Sequence, residues 1–334
     1  MTQMNTNWGA ATSGPGGGER VGPRWVRHFA LPLFLVLVCP PFALTLWYTH
    51  VHLGGSLAAL IAFFQSHGLF GALGRIVGPL WLGSKTAWTM IVTFAALQAL
   101  LLRFVPGRRV DGPVTASGFT PVYVANGPAC FALTLGLWFC GAYLFKWFSP
   151  TVIYDHFGEL LGALNLFSLC FCLLLYVKGR VAPSTADAGG TGIFIFDYYW
   201  GMELYPNLFG WDVKRMTNCR MGMMGWPLIL LSFAAKQAEV YGLSDSMMVA
   251  VGLQLFYIAK FFHWETGYLR SLDIMHDRAG FYICWGCLSW LPCVYTSGTL
   301  YLVNHPNHLG TPLALFIVAV GLGGVVVNYL ADAQ

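Results

Sequence analysis

Stretches of about 20 apolar residues recur along this chain, and a helix of that length crosses the hydrocarbon core of a bilayer. Open strands cannot satisfy their backbone in lipid, so such runs commit the chain to helices. They are Phe29–Tyr48, Ala87–Val105, Pro128–Phe148, Leu160–Val177, Gly225–Tyr241, Met247–Phe262, Gly280–Val303 and Gly310–Leu330. Composition agrees: 57% of the residues are hydrophobic and 10% charged, against roughly a quarter charged in soluble domains. The expected class is an all-α polytopic membrane protein with about eight transmembrane helices.

The runs divide the chain. Residues 1–28 read as a disordered tail, 29–177 as N-terminal membrane helices, 178–223 as an aromatic-rich loop and 224–334 as a second set of membrane helices. Leu53–Leu82, Gly-rich and weakly amphipathic, reads as a connection. With the tail in the cytosol, most basic residues fall on that side: Arg20, Arg24, Arg27, Arg103, Arg108, Arg109, Lys178, Arg180, Lys214, Arg215, Arg220, Arg270 and Arg278. Arg75, Lys85 and Lys146 fall opposite, and Lys236 and Lys260 lie within spans. The positive-inside rule selects this orientation. A net charge of +4 does not point to nucleic acid. The nine cysteines lie mostly in apolar runs, where Cys acts as a small hydrophobe. Cys284 and Cys287 have CxxC spacing without a second pair or nearby His pair, so no metal site is expected.

Charge concentrates in FFHWETGYLRSLDIMHDRAGFYICWG, from Phe261 to Gly286. If this stretch is helical, Glu265, Asp273, His276 and Asp277 share a broad face. Arg270 and Asp273, one turn apart, are spaced to pair. Acids at a membrane border are costly and usually functional; solvated interfacial charges are the plainer alternative. Lys236 and Glu239 are also spaced to pair, or Lys236 snorkels to the interface. The loop from Gly190 to Lys214 sets Tyr198, Tyr199, Trp200 and other rings around Asp197, Glu203 and Asp212. Such a segment suits a flat apolar ligand with a few polar handles; an interfacial aromatic belt is the other reading.

Several strings resemble one family, the membrane sterol reductases, nearest to their plant-type Δ7-reducing branch. They are FSPTVIYDHFGELL from Phe148, YVKGRVAPSTAD from Tyr176, GIFIFDYYWGMELYP from Gly192, LSFAAKQAE from Leu231, GYLRSLDIMHDRAGFYICWG from Gly267 and LPCVYTSGTLYLVNHPNHLGTP from Leu291. The family's signature loop is matched at Gly192, Ile195, Asp197, Tyr199, Gly201, Leu204 and Pro206, and departs at Phe196, Tyr205 and Asn207. The resemblance implies a sterol reductase fold of roughly ten transmembrane helices. It further implies NADPH as reductant, a Δ5,7-sterol taken from the membrane lipids, and reduction of its C7–C8 bond. The setting it implies is the endoplasmic reticulum membrane, with a cytosolic N-terminus. The family's pattern continues past Gln334, where its cofactor-binding residues are expected.

An unactivated alkene accepts hydride poorly, so protonation by a carboxyl group kept neutral by burial is the expected first step. The candidate donors are Asp273, Asp277 and Glu265 with His276 as relay, and then Tyr198 beside Asp197. Asp197, Tyr199, Trp200, Glu203, Trp264 and Trp285 are the expected substrate contacts. Reduction at another position, such as Δ14, is the alternative reading, as is sterol binding without catalysis.

Overall fold

The computed structural model of the protein describes residues 23–332. Residues 1–22 of the expected tail lie outside the described residues, and residues 26–28 belong to the first helix. The long elements are α1 (Val26–His52), α2 (Leu57–Val77), α3 (Lys85–Phe104) and α4 (Gly127–Leu144). A hairpin of β1 (Arg108–Asp111) and β2 (Val122–Ala125) joins α3 to α4, with Arg109 opposite Val124. Then come α5 (Val152–Asp155), α6 (Phe157–Val181) and the short α7 (Phe194–Trp200). β3 (Asn207–Leu208) and β4 (Trp211–Asp212) form a second small hairpin. Helix α8, residues 215–241, opens with wide π-type turns over Arg215–Gly222. The loop expected to reach residue 223 therefore ends at Lys214. After α9 (Asp245–His263), α10 (Glu265–Tyr268) and α11 (Leu272–Met275) come α12, residues 281–304, and α13 (Thr311–Asp332). The fold is all-α and polytopic, as expected.

Contacts between segments define two ends. At one, the His28 ring lies 4.6 Å from Phe196, Asn126 reaches the Val105 carbonyl at 2.8 Å, and Lys178 pairs with Glu203. At the other, Asn304 donates to the Tyr154 hydroxyl at 3.1 Å, and Asp245 accepts from the Leu309 and Gly310 amides. The first is here called the charged end.

Helix α2 is long and apolar enough to cross a membrane, yet its two ends lie on the same side. Gly55, just before it, abuts the Tyr301 ring near the end of α12, and His50 faces the same ring. Leu80, just after it, presses its carbonyl on Gly162, one turn from Gly158, which packs on Trp47. The reversal happens at Gly68, with φ 66° and ψ 167°. Without a Cβ, glycine holds that conformation at little cost; other residues there are strained. The halves fold back along α1: Phe63 meets Tyr48 at 5.4 Å, and Ile76 joins the core with Leu44. The stretch expected as a connection is thus a broken helix that returns to its starting side.

The core lies between α1, α3, α6, α8, α9 and α12, with Leu44, Phe157, Leu161, Leu230, Phe233 and Ile258 nearly inaccessible. Polar bonds stitch the helices: Gln98 to Thr134 at 3.0 Å, Trp226 to Gln254 at 3.0 Å and Trp285 to Asn165 at 2.8 Å. Such bonds supply specificity where lipid removes the hydrophobic drive between helices. Helix α13 has no buried residue. It leans on α9 where Gly321 admits Leu253, and Lys260 binds Asn328 at 2.6 Å and Asp332 at 2.9 Å. Lys236 takes Asp155 at 2.9 Å as its nearer partner, with Glu239 at 3.8 Å.

The path of α2 predicts a labelling pattern. In a variant stripped of native cysteines, Ser56→Cys and Leu82→Cys should react with a membrane-impermeant thiol reagent from one side, and Arg109→Cys from the other. Reaction of Leu82→Cys from the Arg109 side would mean that α2 crosses.

Candidate functional site

The segment from Phe261 to Gly286 is not one helix. It breaks after α9 and again between α10 and α11, so the expected common face of Glu265, Asp273, His276 and Asp277 does not form. Two separate clusters take its place.

The first surrounds Glu265, which is 1% exposed. Its Oε1 accepts from Arg220 at 2.7 Å and Arg215 at 3.2 Å, and its Oε2 from the Gly127 amide at 2.6 Å. That amide opens α4, where the helix dipole also favours negative charge. Asn126 offers its side-chain oxygen to the same arginines, at 2.7 and 3.2 Å. Arg215 also donates to the Val124 carbonyl on β2. One carboxylate thus ties α8, α10, the hairpin and the start of α4 together.

The second cluster is a turn pinned by a lysine. Lys214, 1% exposed, donates to the carbonyls of Asp273, Ile274 and Asp277 at 3.0, 2.7 and 2.8 Å. Its ammonium lies 5.0 Å from the Tyr205 ring centre. Burial pushes its pKa down to about 8, opposed by Asp212, Asp277, Cys284 and Asp273. Burial raises the Asp273 carboxyl, Asp277 raises it further, and Lys214 opposes both. His276 is largely exposed and meets Asp277 at 2.9 Å. Arg270 makes no ion pair with Asp273.

Against this turn stands the aromatic helix α7. Trp200 meets His276 edge-on at 5.6 Å and stacks with Tyr282 at 5.9 Å; Tyr199 lies 6.2 Å from Phe281. Two glycines bring the strands together. A methyl group on Gly280 would fall 2.3 Å from the Gly201 nitrogen, and Gly201 itself has φ 103°. Arg278 reaches back to the carbonyls of Met202 at 2.6 Å and Asp187 at 3.0 Å. Burial pushes its pKa down to about 10 against the pull of Asp187, Asp197 and Glu203.

Residues 49–334 match the Ergosterol biosynthesis ERG4/ERG24 family. The chain belongs to the ERG4/ERG24 sterol reductase family. It is 47% identical to the 7-dehydrocholesterol reductase of Arabidopsis thaliana, over 92% of this chain and 70% of that one. It is 38% identical to the 7-dehydrocholesterol reductase of Xenopus laevis, over 74% of this chain and 54% of that one. The Delta(14)-sterol reductase of Methylotuvimicrobium alcaliphilum is 34% identical, over 90% of this chain and 69% of that one. The chain therefore spans between about half and seven tenths of the length of these relatives.

Within this sterol reductase chain, the residues singled out by sequence separate by environment. Asp273, His276, Asp277, Tyr199 and Trp200 gather on one surface. Glu265 lies apart, in the arginine cluster. Asp197 is buried and accepts from the Thr191 amide and hydroxyl, both at 2.8 Å, and from the Gly192 amide at 3.1 Å, which closes its own loop. Glu203 is buried against Lys178 at 2.7 Å. Tyr198 is buried, with its hydroxyl on the Leu169 carbonyl at 3.0 Å. Trp285 stacks on Phe281 at 4.8 Å inside the protein, and Trp264 packs beside Tyr268 and Leu269. A cavity of about 560 Å³ between Ala142 and Pro150 lies at the opposite end, away from all of these. Lys214, Arg215 and Arg220, which in sequence count only toward the cytosolic basic residues, are here the buried anchors. Their signal was DVKRMTNCR, cations set immediately before an apolar run.

Removing one member of a buried ionic cluster leaves uncompensated charge, at a cost of about 3–5 kcal/mol. Glu265→Leu should lower stability by that order in a detergent melt, and Glu265→Leu with Arg220→Met should recover part of it. Equal stability of Glu265→Leu and wild type would show that the cluster does not hold these segments together.

Proposed function

We propose that this protein carries out the NADPH-dependent reduction of the C7–C8 double bond of a Δ5,7-sterol. The setting is the endoplasmic reticulum membrane, with the charged end in the cytosol. The similarity to the Arabidopsis 7-dehydrocholesterol reductase along 92% of the chain is the observation that carries this reading. The basic residues at the charged end favour its orientation.

The dinucleotide's phosphates require cations free to face them. Among the described residues the buried cations point inward, Lys214 to three carbonyls and Arg215 and Arg220 to Glu265, and the half-buried Lys178 is taken by Glu203. These residues do not form a phosphate cradle.

What this chain's residues supply is the proton. Asp273 is the candidate donor whose carboxyl burial raises, which favours the neutral acid that an alkene requires. Asp277 follows just past the end of α11, and the largely exposed His276 meets it at 2.9 Å. Trp200, Tyr199 and Tyr282 provide aromatic faces beside the turn, and such faces stabilise positive charge developing on a ring carbon. Glu265 is assigned a structural role. Both its oxygens already accept from N–H donors, the pattern of an ionised carboxylate.

Microsomes from a host lacking sterol reductases, expressing the full reading frame, should convert a Δ5,7-sterol to the Δ5 product when NADPH is added. The 34% identity to a Delta(14)-sterol reductase makes a Δ8,14-sterol the competing substrate, assayed in parallel. Conversion of the Δ8,14-sterol alone would transfer the assignment to Δ14. Asp273→Asn should cut turnover by about 10²–10⁴-fold with sterol binding retained. Undiminished turnover would remove Asp273 from the reaction.

A further inference from the structure

We propose that Lys214 is a positioning residue: it holds the turn Leu272–Asp277, and with it Asp273 and Asp277, in the geometry that the proton transfer needs. This rests on the reading of Asp273 as proton donor given above.

Within the turn itself few bonds fix the backbone, although Arg278 anchors the chain just after it. Helix α11 is four residues long, too short to persist alone. Its internal bonds are the amides of Ile274 and Met275 to the Ser271 carbonyl and those of His276 and Asp277 to the Leu272 carbonyl. Leu272 is 70% exposed and Met275 39%, so of its apolar side chains Ile274 alone is buried. The carbonyls of residues 273, 274 and 277 point at one atom, the Lys214 Nζ. An ammonium has three N–H donors, matching three carbonyls. Lys214 itself is fixed from behind. It is the last residue before α8, whose next residue, Arg215, is held by Glu265, and the Asp212 carboxylate caps the Arg215 amide at 2.8 Å. Lys214 thereby ties the backbone of the acid turn to the start of α8, beside the burial of Ile274 with Tyr205, Cys219 and Tyr268.

A neutral amine has two N–H donors, so loss of the Lys214 proton withdraws one of the three bonds. The groups facing Lys214 are Asp212, Asp277, Cys284 and Asp273, all favouring the ammonium, and the Tyr205 ring. Burial outweighs them and brings the titration down to about 8. Linkage separates this local event from global unfolding. With the folded-state value below the ordinary one, the unfolded chain binds the proton more tightly between about 8 and the usual lysine value. Global stability from this group therefore rises with pH in that window. A loosening of the turn over the same window is a local effect.

The test is hydrogen exchange of the full-length protein in detergent, read by mass spectrometry over residues 272–279, beside the pH profile of turnover. Lys214→Met should speed exchange of the Ile274–Asp277 amides by about tenfold or more, with the α6 and α9 amides unchanged. It should lower kcat more than it raises KM. In the wild type the same amides, corrected for intrinsic exchange, should open as pH passes about 8. Turnover should decline over the same range. Asp212→Asn keeps a cap acceptor but removes a supporting charge, so both transitions should move to lower pH. Unchanged protection in Lys214→Met, or transitions that Asp212→Asn leaves in place, would overturn the proposal. Should Lys214→Met fail to fold, the wild-type and Asp212→Asn pH series decide it. If the wild type reduces no sterol, the functional reading fails, while exchange still decides whether Lys214 holds the turn.

Discussion

Glu265 sits between two guanidinium groups at a seam of four segments, and much of the charged end depends on that arrangement. A carboxylate and two arginines removed from water each carry a desolvation cost of several kcal/mol. The arrangement is tolerable because the charges lie within about 3 Å of one another and because a helix N-terminus adds a further donor. The same cost makes the geometry selective. A displaced hairpin, or an α8 shifted by a residue, leaves a bare charge in an apolar surrounding. The cluster thus fixes where α8 begins, and so where Lys214 stands.

From that point the charged end is built by attachment of loops to a rigid bundle. Lys214 carries the acid turn, Arg278 carries the carbonyls of residues 187–202, and Lys178 on α6 carries Glu203. Each attachment joins a cation, buried at Lys214 and half-buried at Lys178 and Arg278, to carbonyl or carboxylate oxygens. Loops held in this way keep polar side chains on a surface that water reaches, as His276 shows, without giving up their position. The aromatic faces of Trp200, Tyr199 and Tyr282 stand beside the acids because Gly201 and Gly280 allow their backbones to touch.

Much was legible before the structure. Six of the eight apolar runs fall on helices that are long and apolar enough to cross a bilayer, among seven such helices in the described residues, and the match to the sterol reductase family agrees with the strings that resembled it. The excess of charge between Phe261 and Gly286 drew attention to the acid turn, and the loop around Trp200 to its aromatic partner. Two things were misread. The stretch Leu53–Leu82 reads as a connection, yet Leu57–Val77 is about as apolar as α3; Gly68 marks the reversal of a broken helix. The residues from Glu265 to Asp277 were given one helical face, but Glu265 leaves that face for the arginines, whose pull no local spacing reveals.

The sequence by itself determined that this chain is a bundle of membrane helices with its basic residues gathered at one end, because hydropathy and charge act through composition and spacing. It also determined the family, through strings too long to coincide by chance. Only the tertiary structure decided which charges are anchors and which are available. Lys214, Arg215 and Arg220 look alike in sequence, and so do Glu265 and Asp273. Their roles differ because a buried charge takes its meaning from the partner that folding brings to it. Those partners here stand 45 to 138 residues away along the chain.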